Sequence, residues 1–348
     1  MPKLPRLAAA VTLTLAAQAV LADDPPPNPP PAASQFKELP AHEQVRRMGR
    51  GVNVIGYDPF WRDGARGNYK EEHFAKIKAA GFATVRVVLF AFRALDAQNR
   101  LDPKWLNRLD WVVATATKHG LNVIVDEHDF NDCSQDVAAC MPKLKAVWSQ
   151  LAQRYRNEPN TVVFELLNEP HGQFDAATWN ASFPQVLAVM RRTNPTRNVI
   201  IGGVRWNSRD TLKDLQLPAG DKHIIATFHY YDPFPFTHQG ASWAEEPIRS
   251  TTGVRFGKPA EIARIDADFA RVKAWSDASG RPVFLGEFGA YDKAAMEDRV
   301  LWTSTVARTA EKYGFAWAYW QFSSDFVLYD FKKDDFVQPI LKALVPAQ

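Results

Sequence analysis

Eight residues with chemically useful side chains stand where apolar, β-rich runs of this chain end: Arg86, His128, Asn168, Glu169, His229, Tyr231, Glu287 and Trp320. Two are carboxylic acids, Glu169 in VVFELLNEPHG and Glu287 in PVFLGEF. Taken singly, each has an ordinary explanation: Arg86 partners a buried acid, the histidines are satisfied core groups, and Trp320 is packing. Taken together they fall at the same end of six different runs, which packing alone does not require. A pair of carboxyls so placed suits glycoside hydrolysis, in which one protonates the leaving oxygen while the other attacks the anomeric carbon or activates a water. Arg86 and Tyr231 then serve to keep the nucleophile ionised, the histidines to bind hydroxyls, Asn168 to hold a sugar 2-hydroxyl, and Trp320 to offer a flat apolar face. A metal-dependent hydrolase sharing an ion among His128, Glu169, His229 and Glu287 is the chemical competitor. The first run carries no H-x-H pair and the runs carry no lysine, so neither metal nor cofactor is expected.

Eight such runs recur: GVNVI from Gly51, ATVRVV from Ala83, NVIVDEH from Asn122, TVVFELLN from Thr161, NVIIGG from Asn198, HIIATFH from His223, PVFLGEF from Pro282 and FAWAYWQF from Phe315. Amphipathic stretches with glycine stops, such as EEHFAKIKAAG and RLDWVVATATKHG, lie between them and read as helices. Continuous apolar strands alternating with helices imply a parallel sheet covered on its outside. Eight units without a glycine-rich phosphate turn after the first strand favour a single closed (β/α)8 TIM barrel over an open doubly wound sheet. In that fold the carboxyl ends of the strands carry the active site.

The 348 residues carry a net charge of +3. Residues 1–22 have the basic start, apolar centre and small-residue end of a cleaved signal peptide, and removing Lys3 and Arg6 lowers the charge from +3 to +1. That balance gives no reason to expect nucleic acid as a partner. Residues 23–34, largely DDPPPNPPPAA, read as a stiff spacer, and one catalytic domain is expected over 35–348. The mature chain is expected to be secreted or periplasmic, without a membrane span, and monomeric. Export into an oxidising compartment makes a Cys133–Cys140 disulfide the simplest reading of the two cysteines.

With these residues in view, the chain resembles glycoside hydrolase family five, on LLNEPHG, TFHYYDPFPFTHQGASW, LGEFGAY and WAYWQF. The resemblance implies that Glu169 is the acid/base and Glu287 the nucleophile of a retaining mechanism. It also implies that Arg86, His128, Asn168, His229, Tyr231 and Trp320 complete the site, that Asn53 occupies a family position on the first strand, and that Trp206, His238 and Trp243 line the leaving-group side. Packing is the competing explanation for both tryptophans. Departures fall on the non-reducing side: Asp129 after His128 where many relatives have a second histidine, Val87 after Arg86, and the long aromatic segment GYDPFWRDGARGNY. The expected substrate is a β-glucan, with endo-β-1,4 cleavage foremost. An exo-β-glucosidase, a transglycosylase on β-1,3-, β-1,6- or β-1,2-glucan oligosaccharides, a β-mannanase and a non-catalytic sugar-binding barrel are the alternatives.

Overall fold

The computed structural model describes residues 34–346. The expected leader, and all of the proline spacer except Ser34, lie outside the described residues. Eight parallel strands close into a barrel in chain order: β1 (Arg50–Val54), β2 (Thr84–Leu89), β3 (Asn122–Glu127), β4 (Val162–Glu165), β5 (Val199–Gly202), β6 (Ile224–Tyr230), β7 (Val283–Phe288) and β8 (Ala316–Tyr319). Closure comes from β8 pairing back onto β1, with Arg50 opposite Trp317. The helices of the outer ring start where the sequence supplies caps. Asp102, Asp136 and Asp175 each accept a hydrogen bond from a backbone N–H in the first turn of the helix that follows, satisfying donors the helix itself leaves free.

Apolar residues form two separate layers. Between strands and helices lies the larger one, where Trp148, Trp179, Trp302 and Trp317 are fully buried. Inside the barrel is a smaller floor made by Ile124, Val163, Ile200, Ile225, Phe284, Ala316 and Ala318. The helix Ala41–Met48 places Ala41, Val45 and Met48 against this floor and so plugs the amino-terminal end of the barrel.

Strand alternation then decides what stands above the floor. Successive inward positions climb from Ile124 to Asp126 to His128 on β3 and beyond, and from Val163 to Glu165 on β4. The interior therefore changes from apolar to charged over a single pleat. Two sequence expectations need correction here. Arg86 lies in the middle of β2, not at its end, and the run expected to continue to Asn168 stops as a strand at Glu165. Leu166 N still donates to Ile200 O and Asn168 N to Glu127 O, after which the chain turns out of the sheet. Asn168 and Glu169 therefore stand on a loop beyond β4.

Candidate active site

Arg86 is the centre of the polar layer and is completely buried. Its guanidinium donates to Glu165 through Nε (2.7 Å) and Nη2 (2.9 Å), to Asn53 Oδ1 (2.9 Å), to Asn168 Oδ1 (2.8 Å) and to Glu287 Oε1 (2.8 Å). Asp126 adds an ion pair at 3.1 Å. Only a planar fork with five N–H groups can serve so many acceptors at once. Asn53 is buried as well and spends its amide on the carbonyls of Gly286, Ala318 and Tyr319. Every polar atom of the Asn53 side chain is thus engaged inside the barrel, where it ties β1 to β7 and β8.

Glu287 receives a second donor from Tyr231, whose hydroxyl lies 2.9 Å from Oε2. Its neighbour across the sheet is set by an irregularity between β6 and β7. Phe228 pairs with Leu285, but His229 pairs with Glu287, so Gly286 is skipped. This bulge brings His229 and Glu287 to the same inward face. A Cβ on Gly286 would lie 2.8 Å from His229 Nε2, so only glycine permits the approach.

Glu169 is held differently. It has a positive φ of 42°, a conformation that costs a non-glycine residue energy, and its carboxylate meets His229 Nδ1 at 2.7 Å. The loop that carries it is braced from the side: Gln173 N donates to Ser134 O at 2.8 Å, and Gly172, at φ 58°, sits where a Cβ would be 2.7 Å from that same oxygen. Ser134 lies between Cys133 and Cys140, which form the expected disulfide.

Hydrogen-bond direction assigns the histidines. Asn168 accepts from Arg86 through Oδ1, so its Nδ2 donates to His128 Nε2 (3.3 Å), and the His128 proton on Nδ1 goes to Asp126 (2.7 Å). Asn207 Nδ2 stands at 3.3 Å from His229 Nε2 in the parallel arrangement, leaving Nδ1–H for Glu169. Burial lowers His128 to about 3 and His229 to about 4, so both rings are neutral in ordinary buffers. Burial raises Glu169 to about 8. It raises Glu287 too, with His229 and Arg86 opposing the rise.

Glu169, His229 and Glu287 each present an atom within 4.8 Å of the others, close enough in principle to surround a cation. Yet the outward lone pairs of Glu287 already face Arg86 and Tyr231. Two donors aimed at one carboxylate favour its ionised form, which suits a nucleophile, and their hydrogens would oppose a metal ion there.

Aromatic rings surround these acids. Trp320 stacks on His128 with centroids 5.7 Å apart, and Tyr57 meets Trp320 edge-on at 6.5 Å. Trp206 stacks on His171 at 4.5 Å, and Trp243 packs against Tyr291 at 5.0 Å. Both tryptophans are 54% exposed, which removes core packing as their explanation. His238 is nearly buried between Tyr231 and Phe234 and bonds Thr237 Oγ1, so it supports Tyr231 more than it faces the cleft. In GYDPFWRDGARGNY, Tyr57 is exposed while Tyr69 is buried against Phe74 and Phe322. Only the first end of that segment therefore offers an exposed ring. Asp129 also turns away from the centre, accepting from Phe92 N at 2.7 Å.

The reading of strand ends missed Asp126, Glu165 and Asn207. Asp126 was findable by counting back two residues from His128 along the same face. Asn207 had no local signal, since it belongs to a short turn of residues with positive φ.

Known proteins agree with this geometry. A family model described as cellulase (glycosyl hydrolase family 5) matches residues 45–326. Endoglucanase H of Acetivibrio thermocellus is 31% identical over 90% of this chain, and the chain spans about a third (34%) of that relative's length. A solved hyperthermophilic endo-β-1,4-glucanase in complex with substrate is 37% identical, with TM-score 0.84 over 89% of this chain and 100% of its own. Thermotoga maritima Cel5A in complex with mannotriose is 34% identical, with TM-score 0.83 over 88% of this chain and 100% of its own. An arginine-centred carboxylate pair at the mouth of an eight-stranded barrel and a family match over most of the chain lead to one conclusion: this chain belongs to glycosyl hydrolase family 5.

Proposed function

We propose that the protein is an endo-acting hydrolase of β-1,4-glucan that works by double displacement, with Glu287 as nucleophile and Glu169 as acid and then base. One observation carries the reading: oxygens of Glu169 and Glu287 approach within 4.8 Å. Retaining enzymes hold their carboxyls roughly 5–5.5 Å apart, whereas inverting ones need about 6.5–9.5 Å to admit a water. In the first step Glu287 attacks the anomeric carbon while protonated Glu169 gives its proton to the departing oxygen. In the second, ionised Glu169 takes a proton from water, which displaces Glu287 from the sugar. Trp320 supports the ring at the cleavage point, and the exposed Trp206 and Trp243 offer stacking faces on the leaving-group side. Exposed rings on both sides of the acids, with Tyr57 opposite, suit a cleft that takes the middle of a chain. The endoglucanase relatives support the same substrate. Mannan is a second reading, favoured by the mannotriose complex of the Thermotoga relative. Secretion is part of the proposal; among the described residues no helix is long and apolar enough to cross a membrane.

Incubation with soluble β-1,4-glucan and with β-mannan tests both readings. Mixed oligomers early in the reaction, with the β-anomer formed first by NMR, are expected from glucan. Release of glucose alone overturns the endo mode, an α-anomer first overturns retention, and no new reducing ends from either polymer overturns hydrolysis.

A further inference from the structure

Beside the reaction centre, on the Tyr57 side of Trp320, lies a second cavity of about 400 Å³. It shares its walls with the centre: Tyr57 touches Trp320, and Phe90 packs against both Tyr57 (5.8 Å) and His128 (5.5 Å). Trp61 adds a further ring to its lining. What sets the cavity apart is its charge. Arg62, Arg93 and Arg108 all line it; among the described residues none forms a salt bridge, although Arg93 is near enough to Asp129 to oppose the rise that burial gives its pKa. Arg108 donates to the Trp61 carbonyl, which aims it, and Arg93 lies over the face of Phe90 with Cζ 4.6 Å from the ring centre.

Two acids line the same cavity, Asp58 and Asp102, so the three arginines leave it one net positive charge, and both carboxylates are turned to backbone or amide donors. Asp58 accepts from the backbone of Phe60 and from Asn68, and Asp102 caps a helix through Lys104 N. The cavity therefore combines aromatic faces, which suit a sugar ring, with guanidinium groups, which suit a carboxylate or phosphate bidentately. A neutral glucan needs only the first.

We infer that this cavity receives an anionic substituent, a carboxylate or a phosphate ester, carried by a β-glucan chain whose neighbouring unit lies over Trp320. The inference rests on the glucan reading above and narrows it to substituted chains. It also gives a use to the segment from Tyr57 to Arg62, which the reaction itself does not require.

Three oligosaccharides of equal length decide it: neutral, carboxylate-bearing and phosphate-bearing cello-oligosaccharides, with the charge toward the non-reducing end. Binding is measured by calorimetry on Glu287→Gln, and kcat/KM on the parent protein, with and without Arg62→Gln and Arg93→Gln together. These two side chains are exposed, so the double substitution leaves the core intact. The expected result is tighter binding of one charged ligand than of the neutral one, with that preference falling about tenfold in the double variant and shrinking as salt rises. Which charged ligand gains identifies the substituent. Equal affinity for all three, or a double variant that weakens neutral and charged ligands alike, overturns the inference. Cleavage of none of them, with the charge preference intact in the binding arm, overturns the hydrolase reading and leaves the pocket standing.

Discussion

Glu287 and Glu169 sit at the same end of the same barrel and are the same residue type, but the regions around them differ. Glu287 projects from a strand and is clamped by Arg86 and Tyr231, with its side chain 6% exposed. Glu169 projects from a loop, has one neutral histidine as its hydrogen-bond partner, and is 14% exposed. Donors that favour the charged form surround the first, while burial with little compensation surrounds the second. The proposed roles follow environment: the carboxylate better supplied with hydrogen-bond donors is suited to attack, and the raised acid to give up a proton.

The sharpest way to break this comparison is to remove each carboxylate in turn. Glu287→Gln is expected to lower kcat by roughly 10⁴-fold or more on every substrate, while the thermal midpoint stays close to that of the parent. Glu169→Gln should lose as much on glucan but keep a rapid first step on an aryl glycoside, whose leaving group needs no proton. Mass spectrometry should then find a sugar attached to Glu287. A covalent adduct in the Glu287→Gln protein instead would reverse the two roles.

A smaller effect follows from acidity. Glu169 must be protonated to act first, and burial holds it at about 8, so kcat/KM should decline as pH rises through that region. With His229 at about 4 and His128 at about 3, neither ring titrates there. The aryl-glycoside rate of the Glu169→Gln variant should lack this alkaline limb; its persistence would assign the limb to another group.

The least effect is expected from the brace behind Glu169. Replacing Cys133 and Cys140 by serine opens a loop with a sequence separation of 7. Chain entropy puts the loss of stability at about 2 kcal/mol. Calorimetric unfolding reads that loss, and kcat should change by less than about threefold. A much larger fall in kcat at unchanged stability would mean that the Ser134 contact positions Glu169 directly.

The fold was legible in the order of the apolar runs because a parallel barrel buries both faces of each strand and so writes unbroken β-branched text. LLNEPHG and GEFGAY were legible for a related reason: a polar group ending such text has no other place to be. The strand-end rule misplaced Arg86 and missed Asp126, which lie within β2 and β3, and it missed Glu165, which ends β4 although the apolar text runs on through Leu166 and Leu167. A charge inside an apolar run reads as an exception until its partner on another strand is known.

By itself, then, the sequence determined the eight-unit barrel, the acids Glu169 and Glu287, and the family to which they belong. Tertiary structure alone decided that Arg86 gathers four side chains beside Asp126, that the bulge at Gly286 sets His229 against Glu287, and that three arginines separated in sequence meet in one cavity. The reason is physical. Strand and helix periodicity are local properties written over a few residues, whereas hydrogen-bond partners and pKa values depend on atoms brought within a few ångströms from separate strands by closure of the barrel.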